Sequence, residues 1–165
     1  MLNLKILKIN FHSEFDPFYE KTHKLFGVVS CFMHHSAQFN WSAEQISLEM
    51  RQSTFLIAKD EALDKVVGFI AFREGLDQIE IMALGVLPEV RRNGCMKQLL
   101  VNLLDYSHQQ LEEGCKVSKA IVLEVHEQNE SAIKLYRNCS LFEIGRRRKY
   151  YSDGADALIF SSVQV

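Results

Sequence analysis

The sequence predicts an α/β (α+β) fold, a mixed central sheet of about seven strands flanked by about four helices. Residues 54–86 contain three consecutive strand-like segments, and residues 81–100 pass from an apolar strand through a short basic turn into an amphipathic helix. Strands and helices that alternate in this way are typical of a sheet covered by helices. The 165 residues, 47% of them hydrophobic, are expected to form a single domain, residues 1–165.

The first half of the chain is predicted to contain two helices and four strands. Residues 3–9 alternate apolar and charged side chains, as a strand does, and apolar positions recur at helical spacing over residues 16–33. A second helix is expected to start at Ser42, because Ser42 and Gln45 have the spacing of a capping box. The next three strands are predicted at residues 54–59, 66–73 and 78–86.

The second half is predicted to add two helices and three strands. The helix after Gly94 carries apolar residues along one stripe, and Gly114 is expected to end it. The remaining elements are a strand at 120–125, a helix at 130–138, and two strands at 141–150 and 155–161 that flank a turn at 152–154.

Composition excludes several classes of protein. The balance of 19 basic and 21 acidic residues gives a net charge of −2, so no direct binding of nucleic acid is expected. The four cysteines form no C-x-x-C pair, which predicts free thiols in the cytoplasm and no metal site or disulfide framework. No run of about 18 apolar residues occurs, and the start of the chain lacks the pattern of a signal peptide, so no membrane span is expected.

The strand, turn and helix at residues 81–100 are the most informative segment. Pro88 closes the strand, and Gly94 is the only glycine in the turn. The backbone amides that follow Gly94 open a helix, where N–H groups lack intrahelical partners and the helix dipole places partial positive charge. The segment is therefore predicted to hold a phosphate or diphosphate.

The residues of this turn, Arg91-Arg92-Asn93-Gly94-Cys95-Met96, resemble the acetyl-CoA-binding signature of the GNAT superfamily of N-acetyltransferases. Residues 123–136, 145–151 and 153–158 resemble the RimI group of that family, which acetylates the N-terminal alanine of ribosomal protein S18, and the likeness covers about residues 35–160. It implies the GNAT fold, with acetyl-CoA as co-substrate and no metal. The sequence departs from the pattern at Met96, usually Gly or Ala, and at Ser140-Leu141, usually Gly-Phe.

The resemblance also assigns the cofactor-binding residues. Backbone amides around Leu84, Gly85 and Val86 are expected to stabilise the oxyanion of the reaction, and Gly85 suits a strand bulge. Asn129 either caps the helix that follows it or faces the cofactor. The pyrophosphate is expected to bind the amides of the turn, at Arg91, Arg92, Asn93, Gly94, Cys95 and Met96.

Two residues are candidates for proton transfer. Glu124 lies in an otherwise apolar strand, where burial would raise its pKa towards that of a useful general base; the alternative is a solvent-facing position on an alternating strand. Tyr136 matches the family's general acid, which protonates the departing coenzyme A, and the alternative is a packed amphipathic tyrosine.

Tyr150 and Tyr151 precede the final hairpin, where related enzymes enclose the first residues of an acceptor peptide; packing on an edge strand is the competing interpretation. The basic run at 146–149 is either a solvated strand face or a ribosomal contact. Cys95 is placed at a helix N-terminus, which favours its thiolate, but no His base stands near it and no acyl-cysteine is expected.

The preferred function is thus transfer of acetyl from acetyl-CoA to an amine, above all the N-terminal α-amine of a protein such as ribosomal protein S18. A small-amine, lysine or aminoacyl acetyltransferase is the alternative within the same class. A non-catalytic acyl-CoA-binding or ribosome-associated module is the alternative in a different class. The oligomeric state is not indicated by the sequence.

Overall fold

The computed structural model describes residues 3–10, 42–109 and 118–164. The strands in this part of the chain are β1 (Leu4–Asn10), β2 (Thr54–Asp60), β3 (Lys65–Glu74), β4 (Gln78–Val86), β5 (Ala120–His126), β6 (Phe142–Arg147) and β7 (Ala157–Ser161). The helices are α1 (Ala43–Gln52), α2 (Cys95–Gln109) and α3 (Glu130–Asn138), with a 3₁₀ turn at Pro88–Val90. The seven strands form one mixed sheet in the order β1-β2-β3-β4-β5-β7-β6, which confirms the predicted fold class.

Local signals in the sequence account for most of these elements. Ser42 caps α1 as predicted, because its Oγ accepts the Gln45 N–H at 3.2 Å and the Gln45 Oε1 accepts the Ser42 N–H at 2.7 Å. The strand predicted at 141–150 is shorter, since β6 ends at Arg147. Lys149 has a φ of 51°, and this left-handed conformation turns the chain out of the strand before Tyr150. The helix predicted at 16–33 and the helix end predicted at Gly114 lie outside the described residues.

The chain forms two compact units, one made of Met1–Arg73 with Met82–Leu99 and the other of Glu74–Ile81 with Leu100–Val165. In the first unit β2 pairs antiparallel with both β1 and β3. Its core lies between α1 and these strands and consists of Ile46, Met50, Phe55, Ile57, Phe69, Ala71 and Ala83. Glu49 is buried beside this core, where Arg73 Nε donates to it at 3.1 Å and Ser53 Oγ bonds to it as well.

In the second unit, the first residues of β4 pair parallel with β5, from Gln78 with Ala120 to Ile81 with Leu123. On its other side β5 pairs antiparallel with β7, and β7 pairs antiparallel with β6. The side chains of β5 alternate, with Ile121, Leu123 and Val125 buried, and with Glu124 and His126 partly exposed on the opposite face. Among the helices of residues 42–109 and 118–164, none combines the length and apolar character that a bilayer crossing requires.

Candidate active site

The predicted phosphate-binding turn lies in the first unit, between the end of β4 and the start of α2. Two hydrogen bonds close the 3₁₀ turn, from Val90 N to Leu87 O at 3.0 Å and from Arg91 N to Pro88 O at 3.2 Å. Gly94 O then accepts the first helical hydrogen bond of α2, from Gln98 N at 3.0 Å. The amides of residues 95–97 consequently precede any possible intrahelical acceptor, as the sequence predicts.

Two residues of this turn have left-handed backbone conformations, Arg92 with φ 64° and Gly94 with φ 78°. A Cβ at Gly94 would meet no atom within 4 Å, so the backbone angle alone favours glycine there. The space beside Gly94 is thus open, and Arg91, Arg92 and Asn93 are exposed. An exposed turn with two arginines and helix-opening amides fits the pyrophosphate of acetyl-CoA.

Cys95 and Met96 both point inward at the start of α2. Cys95 is 2% exposed, and burial raises the pKa of its thiol to about 11. The sequence-based expectation of a favoured thiolate is therefore wrong, because desolvation outweighs the helix dipole. The Met96 side chain is 9% exposed and belongs to the interior, so the bulk that replaces the usual Gly or Ala lies away from the exposed turn.

The end of β4, which is expected to supply oxyanion donors, packs closely against β3. Leu84, Gly85 and Val86 are partly buried, and Val86 O accepts a hydrogen bond from Arg91 Nε at 3.4 Å. The bulge expected at Gly85 stays a prediction. Gly68 on β3 is the reason for the close packing: a Cβ there would lie 3.1 Å from Cys95 Sγ and 3.2 Å from Gly85 O.

The candidate base Glu124 lies in the second unit, together with an arginine. Its carboxylate accepts a hydrogen bond from Arg147 Nε at 2.9 Å, and 22% of the Glu124 side chain is exposed. Neither sequence-based alternative describes this position completely, since Glu124 is neither enclosed by apolar residues nor fully solvent-facing. It is a partly buried carboxylate on an ion pair.

Tyr150 and Tyr151 lie beside Glu124 in the connection between β6 and β7. The Glu124 charge, together with a hydrogen bond between the two side chains, raises the pKa of Tyr150. The rings of Tyr150 and Tyr151 meet edge to face, with centroids 5.3 Å apart. Because both residues lie beyond the end of β6, packing on an edge strand does not explain them.

His126 completes this cluster on the same face of β5 as Glu124. Its ring lies 4.6 Å from the Tyr151 ring. Its Nδ1 accepts the Gln128 N–H at 3.1 Å and its Nε2 lies 2.9 Å from Asp153 Oδ2. An acceptor role for Nδ1 places the proton of the neutral imidazole on Nε2, where it donates to the Asp153 carboxylate.

The connection that carries the two tyrosines is held by further acidic residues. Asp156 Oδ1 accepts the Lys149 N–H at 2.8 Å, and Asp156 N donates to Glu127 Oε1 at 3.0 Å. Arg146 Nη1 lies 3.2 Å from both Glu127 and Asp156. The Lys149 amide and the Arg146 cation lower the pKa of Asp156, so this carboxylate is ionised at neutral pH.

The same contacts change the interpretation of the basic run at residues 146–149. Arg146 and Arg147 form ion pairs with acidic residues of their own unit. Half of the positive charge of the run is therefore compensated internally. This arrangement gives no support to a contact with ribosomal RNA.

The candidate acid Tyr136 is 3% exposed on α3, and its ring packs 5.8 Å from Phe160. Burial, followed by the charges of Tyr151 and Cys139, raises the pKa of Tyr136 far above that of a free phenol. Asn129 caps α3, because its Oδ1 accepts the Ala132 N–H at 3.3 Å. Capping is thus observed for Asn129, and its cofactor role stays a prediction.

The structure brings Glu124, Tyr150 and Tyr151 together and adds residues that the sequence-based reasoning missed. In the sequence Arg147 belongs to a charged run, and its place three residues before Tyr150 is the signal that could have identified it. His126 lies two residues after Glu124, which puts both on one strand face. Gly68 interrupts an apolar strand, and such a glycine often marks close backbone approach.

Residues 11–140 match the family model described as the acetyltransferase (GNAT) family. The chain belongs to the GNAT family. Relatives include the N-alpha-acetyltransferase RimI of Mycobacterium tuberculosis, 33% identical over 48% of this chain. The [ribosomal protein bS18]-alanine N-acetyltransferase of Salmonella typhimurium is 31% identical over 68% of this chain and 72% of that protein.

Two mycobacterial relatives are much longer than the region that matches. This chain spans 32% of the length of a relative from Mycobacterium leprae and 46% of the length of the Mycobacterium tuberculosis RimI protein. Solved structures share the fold. The ribosomal-protein-S18-alanine N-acetyltransferase of Escherichia coli has a TM-score of 0.72 at 23% identity and covers 96% of this chain and 92% of its own. A GNAT acetyltransferase of Elizabethkingia anophelis, solved with acetyl-CoA bound, has a TM-score of 0.70 at 14% identity. The match covers 98% of this chain and 99% of that chain.

Enzymes of the GNAT family use acetyl-CoA as co-substrate. Within the described residues, no group of three or more His, Cys, Asp or Glu side chains is arranged to hold a metal ion.

Proposed function

We propose that this GNAT protein transfers acetyl from acetyl-CoA to the N-terminal α-amine of a protein, with ribosomal protein S18 as the preferred acceptor, in the cytoplasm. The observation that carries the proposal is the cluster of Glu124, Tyr150 and Tyr151, which combines a carboxylate with two aromatic side chains. Such a cluster suits an extended peptide terminus, whose amine approaches the carboxylate while its first side chains contact the rings. The relatives named as S18 and N-alpha acetyltransferases support the same acceptor.

The turn at residues 91–96 holds the cofactor in this proposal. The amides that open α2 donate to the pyrophosphate, and the exposed Arg91 and Arg92 contribute positive charge. Amides at Leu84, Gly85 and Val86 stabilise the oxyanion that forms on the acetyl carbonyl. Asn129 contributes a side-chain contact from the N-cap of α3.

Glu124 acts as the general base. The α-amine has a pKa of about 8 and is mostly protonated at neutral pH, so a proton must leave before nitrogen attacks the thioester. The first proton passes to bulk solvent. The neutral nitrogen then bonds to the acetyl carbon, the carbon–sulfur bond breaks, and Glu124 takes the second proton from the nitrogen directly or through water. Coenzyme A leaves as a thiolate.

Tyr136 serves the leaving group. Its raised pKa keeps the phenol protonated throughout the neutral range, so a donor is always present. The same raised pKa makes complete transfer of the proton to a thiolate unfavourable. We therefore assign Tyr136 a hydrogen bond to the departing sulfur, and bulk solvent completes its protonation.

One assay distinguishes the competing functions, because each predicts a different set of acetylated amines. The purified protein is incubated with acetyl-CoA and a peptide with the N-terminus of S18, or with the same peptide carrying a blocked N-terminus and one lysine, and coenzyme A release and product mass are measured. Turnover of the α-amine peptide is expected, and Glu124→Gln is expected to abolish most of it. Turnover of lysine or small amines alone would contradict the acceptor assignment. Binding of acetyl-CoA without turnover of any amine would favour a non-catalytic module.

A further inference from the structure

Arg147 contacts the cluster of Glu124, Tyr150 and Tyr151, here named the acceptor cluster, and has no role in the proposed reaction. Its Nε donates to Glu124 Oε1 at 2.9 Å, and its guanidinium carbon lies 5.6 Å from the centre of the Tyr150 ring. The Arg147 side chain is 59% exposed, so it contacts both residues without being enclosed. Contacts with a carboxylate and an aromatic face together fix the guanidinium beside the carboxylate that would receive the amine.

The charged groups around Glu124 indicate that the Arg147 guanidinium compensates the charge of this carboxylate. His126 is bonded to Asp153 on the same side of β5, and the charge of Glu80 on β4 also acts on Tyr150. Tyr150 and Tyr151 have raised pKa values and stay neutral at physiological pH. Among the described residues, Arg147 is the cation that forms an ion pair with Glu124. Without this cation the Glu124 carboxylate would attract ammonium groups.

Amines differ strongly in how often they arrive uncharged. With pKa values of about 8 for an α-amine and 10.4 for lysine, roughly a tenth of α-amines but fewer than about one lysine in a thousand are neutral at pH 7. A guanidinium beside the base repels ammonium groups and does not repel neutral amines. A site with this charge pattern favours the acceptor of lower pKa.

We propose that Arg147 is a specificity-determining residue that selects α-amines over lysine side chains by compensating Glu124 and repelling cationic acceptors. The proposal rests on the proposed N-terminal acetyltransferase function. It predicts that the selectivity follows the charge at position 147. A role in positioning Glu124 through the shape of the guanidinium predicts a different result, because lysine preserves the charge and not the shape.

The test compares Arg147→Gln and Arg147→Lys with the wild type and with Arg148→Gln. Arg148 is exposed and one residue away, so its replacement removes the same charge from the neighbouring position. Each protein is assayed with the α-amine peptide and with the N-terminally blocked lysine peptide, and kcat and KM are determined separately. Thermal melting checks that all four proteins are folded.

Arg147→Gln is expected to lower the ratio of kcat/KM for the α-amine peptide to that for the lysine peptide about tenfold, mainly through a lower KM for lysine. Arg147→Lys and Arg148→Gln are expected to keep the wild-type ratio. A ratio in Arg147→Gln within twofold of that in Arg148→Gln would overturn the proposal and leave the acetyltransferase function standing. A wild type that acetylates neither peptide would instead refute the proposed function, and this inference with it.

Discussion

His126 and Asp153 are joined by a contact of 2.9 Å between the imidazole Nε2 and the carboxylate. The contact links β5 to the connection that carries Tyr150 and Tyr151, and the His126 ring packs on Tyr151 as well. Asp153 also accepts the Ala155 N–H at 2.9 Å. One carboxylate thereby joins the loop to β5 and also accepts a hydrogen bond within the loop.

This role of Asp153 predicts a pH-dependent stability. The Ala155 amide and the His126 ring lower its pKa below the ordinary value of 3.8, so its stabilisation is present above that value and is lost as pH falls through the folded-state pKa. Asp153→Ala is therefore expected to lower Tm at pH 6, and its Tm difference from the wild type is expected to shrink as pH falls below 3.8. Asp105→Ala, on the exposed side of α2, is the control and is expected to leave Tm unchanged. A Tm difference between Asp153→Ala and wild type that persisted unchanged at pH 3 would contradict this assignment.

Replacing the candidate base tests the chemistry directly. Glu124→Gln keeps the size of the side chain and removes its basicity, so kcat/KM is expected to fall about 10²- to 10⁴-fold while acetyl-CoA affinity is retained. Glu143→Gln, a neighbouring exposed carboxylate on β6, is expected to retain activity. The measurement is the pH dependence of kcat/KM. An unchanged pH profile in Glu124→Gln would show that Glu124 is not the base.

Removing the Tyr136 hydroxyl isolates the leaving-group step. Tyr136→Phe is expected to lower kcat about 10- to 100-fold and to leave the affinity for acetyl-CoA unchanged, because the ring packing is preserved. Tyr106→Phe provides the control, since it deletes a hydroxyl that donates to Glu74 at 2.9 Å outside the candidate site. Rapid-quench measurement of a single turnover separates this step from product release. Equal loss of activity in the two variants would argue against a role for Tyr136.

A methyl group at Gly68 tests the packing between β3 and the end of β4. Gly68→Ala is expected to cost about 1–3 kcal/mol in urea unfolding, because the new Cβ would press on Cys95 Sγ and Gly85 O. The control is Gly145→Ala, whose Cβ would lie 3.6 Å from Ile159 at an ordinary contact distance. Adding Cys95→Ala to Gly68→Ala is expected to make the cost of the Gly68 substitution smaller. Full additivity of the two substitutions would show that they do not share this contact.

The cofactor role of the turn before α2 is tested by comparing two glycines that have similar left-handed backbone angles. Gly94 and Gly154 have φ values of 78° and 85°, and a Cβ at either would meet no atom within 4 Å. Alanine at each position is expected to cost about 1 kcal/mol of stability. Only Gly94→Ala is expected to weaken acetyl-CoA binding, measured by calorimetry, because it displaces the amides that open α2. Equal binding losses in both variants would refute the assignment of the turn.

The sequence was sufficient for the elements whose signals are local. The capping box at Ser42, the alternating strands and the glycine turn at Gly94 all depend on residues within a few positions of each other, and each was predicted correctly. The length of β6 was not, because Lys149 adopts a left-handed conformation that Asp156 stabilises from the far side of the turn. Such a contact is invisible to patterns of hydrophobicity.

The candidate site shows the same division. Glu124 was recognisable as a carboxylate in an apolar strand, but the identity of its partner depends on how β6 and the following turn pack beside β5. Arg147 therefore became visible only in three dimensions. The prediction of a favoured Cys95 thiolate is wrong for a related reason: the helix N-terminus is a local feature, whereas the burial that raises the pKa of the thiol depends on strand β3.

Strand β6 ends the sheet order of the described strands and exposes Phe142 and Ile144, at 41% and 40%. An outer strand with apolar side chains is a template for pairing with a second copy of the chain. The outer strand also carries Glu143, Arg146 and Arg147, and charged side chains on an edge strand disfavour such pairing. Arg146 and Arg147, which hold the loop of the acceptor cluster, thus also disfavour self-association. Replacing them is expected to lower solubility as well as to alter catalysis.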